Sequence, residues 1–243
     1  MEHDRNLPVE VLITVPFTES EIQELQEISP RLRINVQPVR EAREISAETW
    51  GRAEVLYTDR VMPLPDQVPF LRWLQLHFAG VDSLLDNPII QKPGVTITTL
   101  SGAAAPQMAE FAMTMMLALA HRLPEIAASQ ARGEWPRDRW ERFRPVELRT
   151  STVGIVGYGS IGREIARLLQ ALGARVLAAK RDAMVPQDTG YVIPGLGDPG
   201  GDLFHRLYPY QAVRSMMKEC DFVVVAVPLT PETRGMIVAQ ELA

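Results

Sequence analysis

One cysteine, Cys220, stands in a chain of 243 residues. A disulfide within the chain is therefore excluded, and a lone thiol fits a reducing compartment. It precedes Asp221 and an apolar run, the setting of a buried structural thiol. Only four histidines occur, His3, His77, His121 and His205, and none has metal-ligand spacing, so all four read as packing or surface residues. A cationic surplus is missing as well. The net charge of -5 argues against a general polyanion-binding surface. Long hydrophobic runs are absent. The longest apolar stretch, residues 109–120, contains Glu110 and Thr114 and falls short of the ~20 residues a membrane helix needs. The start, Met1-Glu2-His3-Asp4-Arg5, lacks a basic region leading into an apolar one, so no targeting signal is marked. Together these absences point to a soluble cytoplasmic protein that contacts neither nucleic acid nor membrane.

What is present is core. Hydrophobic residues make up 46% of the chain and charged ones 23%, enough for one large domain or two small ones. Residues 152–181 carry the densest pattern. Val153, Ile155 and Val156 form a short apolar run typical of a buried parallel strand. Gly157-Tyr158-Gly159-Ser160-Ile161-Gly162 follows, and then a helical repeat through Ile161, Ile165, Leu168, Leu169 and Leu172. Gly173 sits where a helix C-terminal glycine belongs, and Val176 begins a second apolar strand. This is a βαβ unit with a dinucleotide fingerprint. Gly157 permits the tight turn, Gly159 lets backbone approach a pyrophosphate, and Gly162 lets the helix pack on the strand. The helix N-terminus would face the phosphates.

The tip of the second strand bears on the choice of dinucleotide. An acidic residue there would bind the ribose 2′-hydroxyl of NAD. This chain has Lys180 and Arg181, which suit a 2′-phosphate and favour NADP(H) over NAD(H). Asp182 follows directly and leaves the acidic alternative open.

Elsewhere the first ~100 residues read as a small α/β domain of alternating strands and helices. Strand-like runs fall at 9–15, 32–36, 54–58, 71–77 and 95–99. Thr18-Glu19-Ser20-Glu21 is a capping box that opens a helix with Ile22, Leu25 and Ile28 on its apolar face. Residues 105–121 form a long helix whose methionines, Met108, Met113, Met115 and Met116, read as packing. A second helix covers 123–132. Residues 132–149 mix arginines with Trp135 and Trp140, a composition that can bind single-stranded nucleic acid. Glu134, Asp138, Glu141 and Glu147 interleave with them, so a solvated linker or arm is the reading preferred. Residues 186–202 form a Gly- and Pro-rich loop. A short helix at 210–220 and a buried strand at 222–227 follow.

Four stretches, in order, resemble the D-isomer-specific 2-hydroxyacid dehydrogenases. Leu76-His77-Phe78-Ala79-Gly80-Val81-Asp82 is similar to that family's substrate loop. Ala109-Glu110-Phe111-Ala112 is similar to its interdomain helix, and residues 152–162 to its nucleotide fingerprint. Cys220-Asp221 through Pro228-Leu229-Thr230-Pro231-Glu232-Thr233-Arg234-Gly235 is similar to the strand and turn beside the nicotinamide. The resemblance implies an α/β fold, with a flavodoxin-like substrate domain over residues 1–100 and an NAD(P)-binding Rossmann domain over 101–243, incomplete at its C-terminus. It implies substrate contacts from the backbone of Ala79, Gly80 and Val81. It implies cofactor contacts from Gly157, Tyr158, Gly159, Ser160, Ile161, Gly162, Lys180, Arg181, Val227, Pro228, Leu229 and Met108. It also implies a small 2-keto or 2-hydroxy acid substrate and a homodimer, with the helices of residues 105–132 as its arm.

One departure accompanies the resemblance. The family's catalytic Arg, acid and His follow the Pro-Leu-Thr-Pro-Glu-Thr turn, and the sequence stops at Ala243 before any of them. The expectation is a truncated dehydrogenase, inactive as the 243-residue chain alone. The alternative is a non-catalytic dinucleotide-binding regulatory or interaction module.

Overall fold

The computed structural model describes residues 7–242, apart from the side chain of Ser83. His3 and Ala243 lie outside the described residues. The chain divides into two compact units, Met1–Leu100 and Ser101–Ala243.

The first unit is built on a five-stranded parallel sheet in the order β2-β1-β3-β4-β5, the flavodoxin-like order. Its elements are β1 (Val9–Ile13), α1 (Glu19–Ile28), β2 (Leu32–Val36), α2 (Ala47–Arg52), β3 (Val55–Thr58), β4 (Trp73–Leu76) and β5 (Thr96–Thr98). The capping box forms as expected. The Glu21 amide donates to Thr18 Oγ1 at 3.3 Å, and the Thr18 amide donates to Glu21 Oε2 at 2.7 Å. However, α1 buries little. Ile22 and Leu25 are half-buried and Ile28 is 75% exposed, so Ile28 does not share their apolar face. The core comes instead from Leu12, Leu56, Leu74, Leu76 and Ile89, with Trp50 from the short α2. Trp50 satisfies its indole N–H on the Ala42 carbonyl at 3.1 Å, as a buried tryptophan must. The edge strand β2 alternates half-buried and exposed residues along its length, as the alternation in its sequence requires.

The second unit carries a four-stranded parallel sheet in the order β8-β7-β6-β9. Helices α3 (Ala105–Ala120), α4 (Leu123–Ala131) and α5 (Arg139–Arg142) come first in the chain. Then follow β6 (Thr152–Val156), α6 (Ser160–Ala171), β7 (Arg175–Lys180), β8 (Arg206–Pro209), α7 (Val213–Met217), β9 (Phe222–Val225) and α8 (Ala239–Leu242). The central strands β6 and β7 are almost wholly buried. On one face α3 packs against α6, and Ala109, Met113 and Met116 meet Ile165 and Leu169. The methionines therefore divide: Met108 and Met115 are exposed. On the other face Val213 and Met216 cover Leu177 and Ala179. Among the described residues no helix is long and apolar enough to cross a membrane.

One sequence expectation shifts here, and one strand is new. The strand expected over 222–227 ends at Val225, and its residues are half-buried, with Val225 51% exposed. It lies at a sheet edge, so it lacks one covering neighbour. Strand β8 was not legible at all, because Arg206-Leu207-Tyr208-Pro209 has no apolar run.

Cys220 is half-buried rather than fully enclosed, and its thiol donates to the Met216 carbonyl at 3.1 Å. Burial first, then the charges of Glu219 and Asp221, push the thiol up to about 11. Alkylation at pH 8 should thus run roughly a hundredfold below that of a free cysteine of ordinary pKa. The rate should climb with pH up to about 11; a fast reaction at pH 8 in a timed iodoacetamide assay would contradict this. In the first unit, Leu56→Ala should lower stability by about 2–5 kcal/mol in urea unfolding, the range for emptying a fully buried leucine site.

Candidate functional site

The site grows from the carboxyl end of β6. The chain leaves the strand at Gly157, whose φ is 106°. The amides of Gly157 and Tyr158 both donate to the Ala179 carbonyl at the end of β7, at 2.9 and 3.1 Å. Each of the three glycines has its own reason. A Cβ on Gly157 would stand 2.7 Å from the Ala226 backbone, where the chain leaves β9. A Cβ on Gly162 would press on the Gly157 carbonyl and stand 2.9 Å from Ile155 Cγ2, so this glycine sets how closely α6 approaches β6. A Cβ on Gly159 would meet nothing within 4 Å, and this residue is exposed. A side chain here would therefore begin in open space, which leaves room for a ligand to approach the backbone.

Helix α6 begins directly after it. Its first intrahelical bond runs from the Arg163 amide to the Gly159 carbonyl at 2.9 Å. The amides of Ser160, Ile161 and Gly162 precede that bond and have no carbonyl within the helix. With the positive end of the helix dipole behind them, they form a surface that can hold an anion.

Tyr158 has a different place from its glycine neighbours. Its side chain is 1% exposed, its ring packs edge-on against Phe204, and its hydroxyl donates to Asp198 Oδ2 at 2.6 Å. Burial, then the Asp198 carboxylate, push the phenol well above its usual range. The expected cofactor contact at this position thus reduces to its backbone, because the side chain is committed inward.

Residues 181–205 join β7 to β8 with no helix between them. The loop lies against α6 and is held by polar groups. Arg163, 1% exposed, donates to the carbonyls of Asp198 and Pro186, both at 2.5 Å. Its Nε faces the Asp188 carboxylate at 3.3 Å without hydrogen-bond geometry, and its guanidinium stacks 4.8 Å from the Tyr158 ring centre. Asp198 accepts amides from Gly201, Asp202 and Leu203 at 2.9–3.1 Å. Burial pushes this carboxyl up, but these amides and the Tyr158 hydroxyl outweigh it and hold it below its ordinary range. Glu164 accepts from Arg167 and from the Gly197 amide, and the Arg167 hydrogen bond leads in holding its carboxyl low. The loop closes at a neck. The Asp188 amide donates to the Pro199 carbonyl at 3.0 Å, and Gly201, with φ 77°, lies so near Pro186 that a Cβ would stand 2.5 Å from its carbonyl oxygen.

Lys180 belongs to this system. Its Nζ donates to the carbonyls of Val185 and Gln187 at 2.6 and 3.1 Å. Burial, then the neighbouring Arg163 charge, lower its pKa. Three consecutive carbonyls, 185 to 187, are thus held by two cations. Arg181 is exposed, and the Asp182 carboxylate turns back to accept the Met184 amide at 3.0 Å.

The remaining expected site residues are spread over both units. Val227 packs on the Leu177 face of the second sheet, while Pro228 and Leu229 are exposed. The turn after them is closed by Thr233 Oγ1, which donates to the Pro228 carbonyl at 2.5 Å. Met108 is exposed in the first turns of α3. In the first unit, Ala79 and Gly80 are exposed in the turn after β4, and Val81 is half-buried. Gly80 does not adopt a left-handed conformation, and a Cβ there would stand 3.1 Å from Asp82 Oδ1. His77 Nδ1 lies 2.6 Å from the Tyr57 hydroxyl, and His205 Nδ1 accepts the Val176 amide at 3.1 Å. His121 ends α3, exposed. In the arginine-rich segment, Trp135 and Trp140 are 79% and 80% exposed, each 5.2 Å from the Arg139 guanidinium.

Arg163, Glu164 and Asp198 were not singled out in the sequence. Both helix residues lie beside the apolar stripe of α6, where charge ordinarily means solvent. The available signal was the long crossover itself, which has too little apolar periodicity to anchor itself.

The family model "D-isomer specific 2-hydroxyacid dehydrogenase, NAD binding domain" matches residues 113–243. A D-3-phosphoglycerate dehydrogenase of Methanocaldococcus jannaschii is 30% identical over 164 residues, which cover 68% of this chain and 28% of that one. A glyoxylate reductase of Thermococcus kodakarensis is 31% identical over 183 residues, 73% of this chain and 50% of that one. The crystal structure of a D-isomer specific 2-hydroxyacid dehydrogenase family protein from Aeromonas salmonicida subsp. salmonicida superposes with a TM-score of 0.71 at 25% identity, covering 93% of this chain and 66% of that one. The chain spans half or less of the length of these two curated relatives.

The glycine geometry separates two substitutions. Gly162→Ala should lower the melting temperature of the second unit by several degrees, because its Cβ meets backbone. Gly159→Ala should cost no more than about 1 kcal/mol, because its Cβ meets nothing and only the N-cap preference for glycine over alanine is lost. Calorimetry on both variants checks the pair.

Proposed function

The chain belongs to the D-isomer specific 2-hydroxyacid dehydrogenase family, and from that membership we propose that it binds NADP(H) and serves hydride exchange with a small 2-keto or D-2-hydroxy acid. The observation that carries the reading is the strand–turn–helix at residues 152–171. Its middle glycine opens on free space, and its helix amides lack partners within the helix. Such a turn, open at its middle glycine, suits a pyrophosphate.

In this reading the amides of Ser160, Ile161 and Gly162 hold the pyrophosphate. Arg181, exposed at the tip of β7, meets the 2′-phosphate. Lys180 supports it from behind, since its Nζ is engaged by loop carbonyls. Val227, Pro228 and Leu229 line the cleft at the carboxyl end of β9, and Met108 approaches from α3. The backbone amides of Ala79, Gly80 and Val81 hold the substrate carboxylate. When bound, the nicotinamide supplies or accepts the hydride. Exposed apolar residues on α3 and α4, Phe111, Leu119 and Leu123 among them, support a homodimer.

A second reading is a dinucleotide-binding module without turnover. The same glycine turn and helix amides support it, because they suit a dinucleotide whether or not hydride is transferred.

Fluorescence titration with NADPH and NADH should show NADPH binding about tenfold tighter. Arg181→Ala should remove that margin, roughly 1.4 kcal/mol, with NADH changed less than about twofold. Tighter NADH binding by the wild-type chain would reverse the cofactor assignment. Oxidation of NADPH with glyoxylate or hydroxypyruvate by the protein purified from its source would support the dehydrogenase reading; NADPH binding by that protein with no turnover across a panel of 2-keto acids would support the module.

A further inference from the structure

The phosphate-binding turn presents a mechanical difficulty. Residues 157 and 159 are glycines, with no side chain to fix them, and the amides beyond them must be aimed at one anion. Between them stands Tyr158, the one residue of the three with a side chain to anchor it. That side chain runs inward to Asp198, at 2.6 Å. Asp198 in turn is fixed by three backbone amides, and its own carbonyl accepts from Arg163, which sits on the first turn of the same α6. The turn, the helix N-terminus and the loop at 186–202 thus close a ring of contacts through one buried residue, Asp198, whose carboxylate takes the Tyr158 hydroxyl and whose carbonyl takes Arg163.

We propose that Asp198 is a positioning residue for dinucleotide binding: through the Tyr158 hydroxyl and the Arg163 guanidinium it holds residues 157–162 in the geometry that meets a pyrophosphate. The inference rests on the dinucleotide reading above and deepens it. The loop at 186–202 becomes a working part of the cofactor site without touching the cofactor. Preorganised amides bind an anion without first being ordered, so loosening them weakens every ligand that carries the pyrophosphate. The effect is indifferent to the 2′-position, which separates it from the role given to Arg181. Binding and loop order must also be coupled in both directions, because linkage is reciprocal.

Tyr158→Phe keeps the ring and removes only the hydroxyl. It should raise the Kd for NADPH and for NADH by the same factor, about five- to tenfold for one lost buried hydrogen bond. The NADPH-to-NADH ratio should stay unchanged. Hydrogen exchange on the wild-type chain is the second measurement and does not depend on any variant folding. Saturating NADPH should slow the amides of Gly201, Asp202 and Leu203, which bond Asp198, relative to the amides of β1 and β3. Unchanged affinities in a folded Tyr158→Phe, or unchanged exchange at those three amides, would overturn the inference while leaving the dinucleotide reading standing. A wild-type chain that bound neither dinucleotide would remove both.

Discussion

A guanidinium that is 1% exposed constrains everything around it. Arg163 cannot shed its charge, so burial requires that oxygen atoms surround it. The structure supplies the carbonyls of Pro186 and Asp198, the carboxylate of Asp188 and the face of Tyr158. All of these come from the glycine turn or the loop after β7. Removing any one leaves part of a buried charge uncompensated, and breaking a buried pair costs about 3–5 kcal/mol. The loop is therefore held by an electrostatic requirement where an ordinary crossover helix would use apolar contact. Lys180 extends the same device to the strand tip, since it and Arg163 share three consecutive carbonyls. The pKa of Lys180 falls through burial and through the nearness of that second cation, as expected where two cations compete for one stretch of backbone.

Much of the frame was legible because its causes are local. The apolar runs at Val153 and Val176, the glycine spacing and the Thr18–Glu21 capping box each act within a few residues, and each produces its element. Gly173 takes a left-handed φ of 72° just past α6, as a helix-ending glycine does. What was not legible depends on distant partners. Ile28 has helical spacing with Ile22 and Leu25, but it ends α1 75% exposed. Strand β8 is defined by pairing with β7 and not by its own four residues. In the candidate site, the three glycines were readable in kind, and the structure gives each a separate steric reason. The inward commitment of Tyr158 and the engagement of Lys180 were not readable, because their partners lie 40 and 5–7 residues away in a loop without periodicity.

The two units share a plan. Each is a parallel sheet with its candidate site just past a strand's carboxyl end, where open α/β sheets place ligands. In the first, the turn at Ala79, Gly80 and Val81 follows β4; in the second, the glycine turn follows β6. They differ in how the turn is fixed. Gly80 is held in an ordinary conformation beside Asp82, whereas Gly157 adopts a conformation few other residues tolerate and is wedged against the chain leaving β9.

The neck at Pro186, Asp188, Pro199 and Gly201 separates two quantities that are usually tied together, the length of a connection and the distance it bridges. Its ends are pinned by backbone contacts, in the manner of an Ω-loop. Lengthening a surface loop adds only about 0.6 kcal/mol per doubling. Residues between 188 and 199 that avoid the Gly197 and Asp198 contacts can therefore vary in number and kind with little effect on the spacing of β7 and β8. The chain carries at this point a segment open to evolutionary insertion, mounted on a collar that is not.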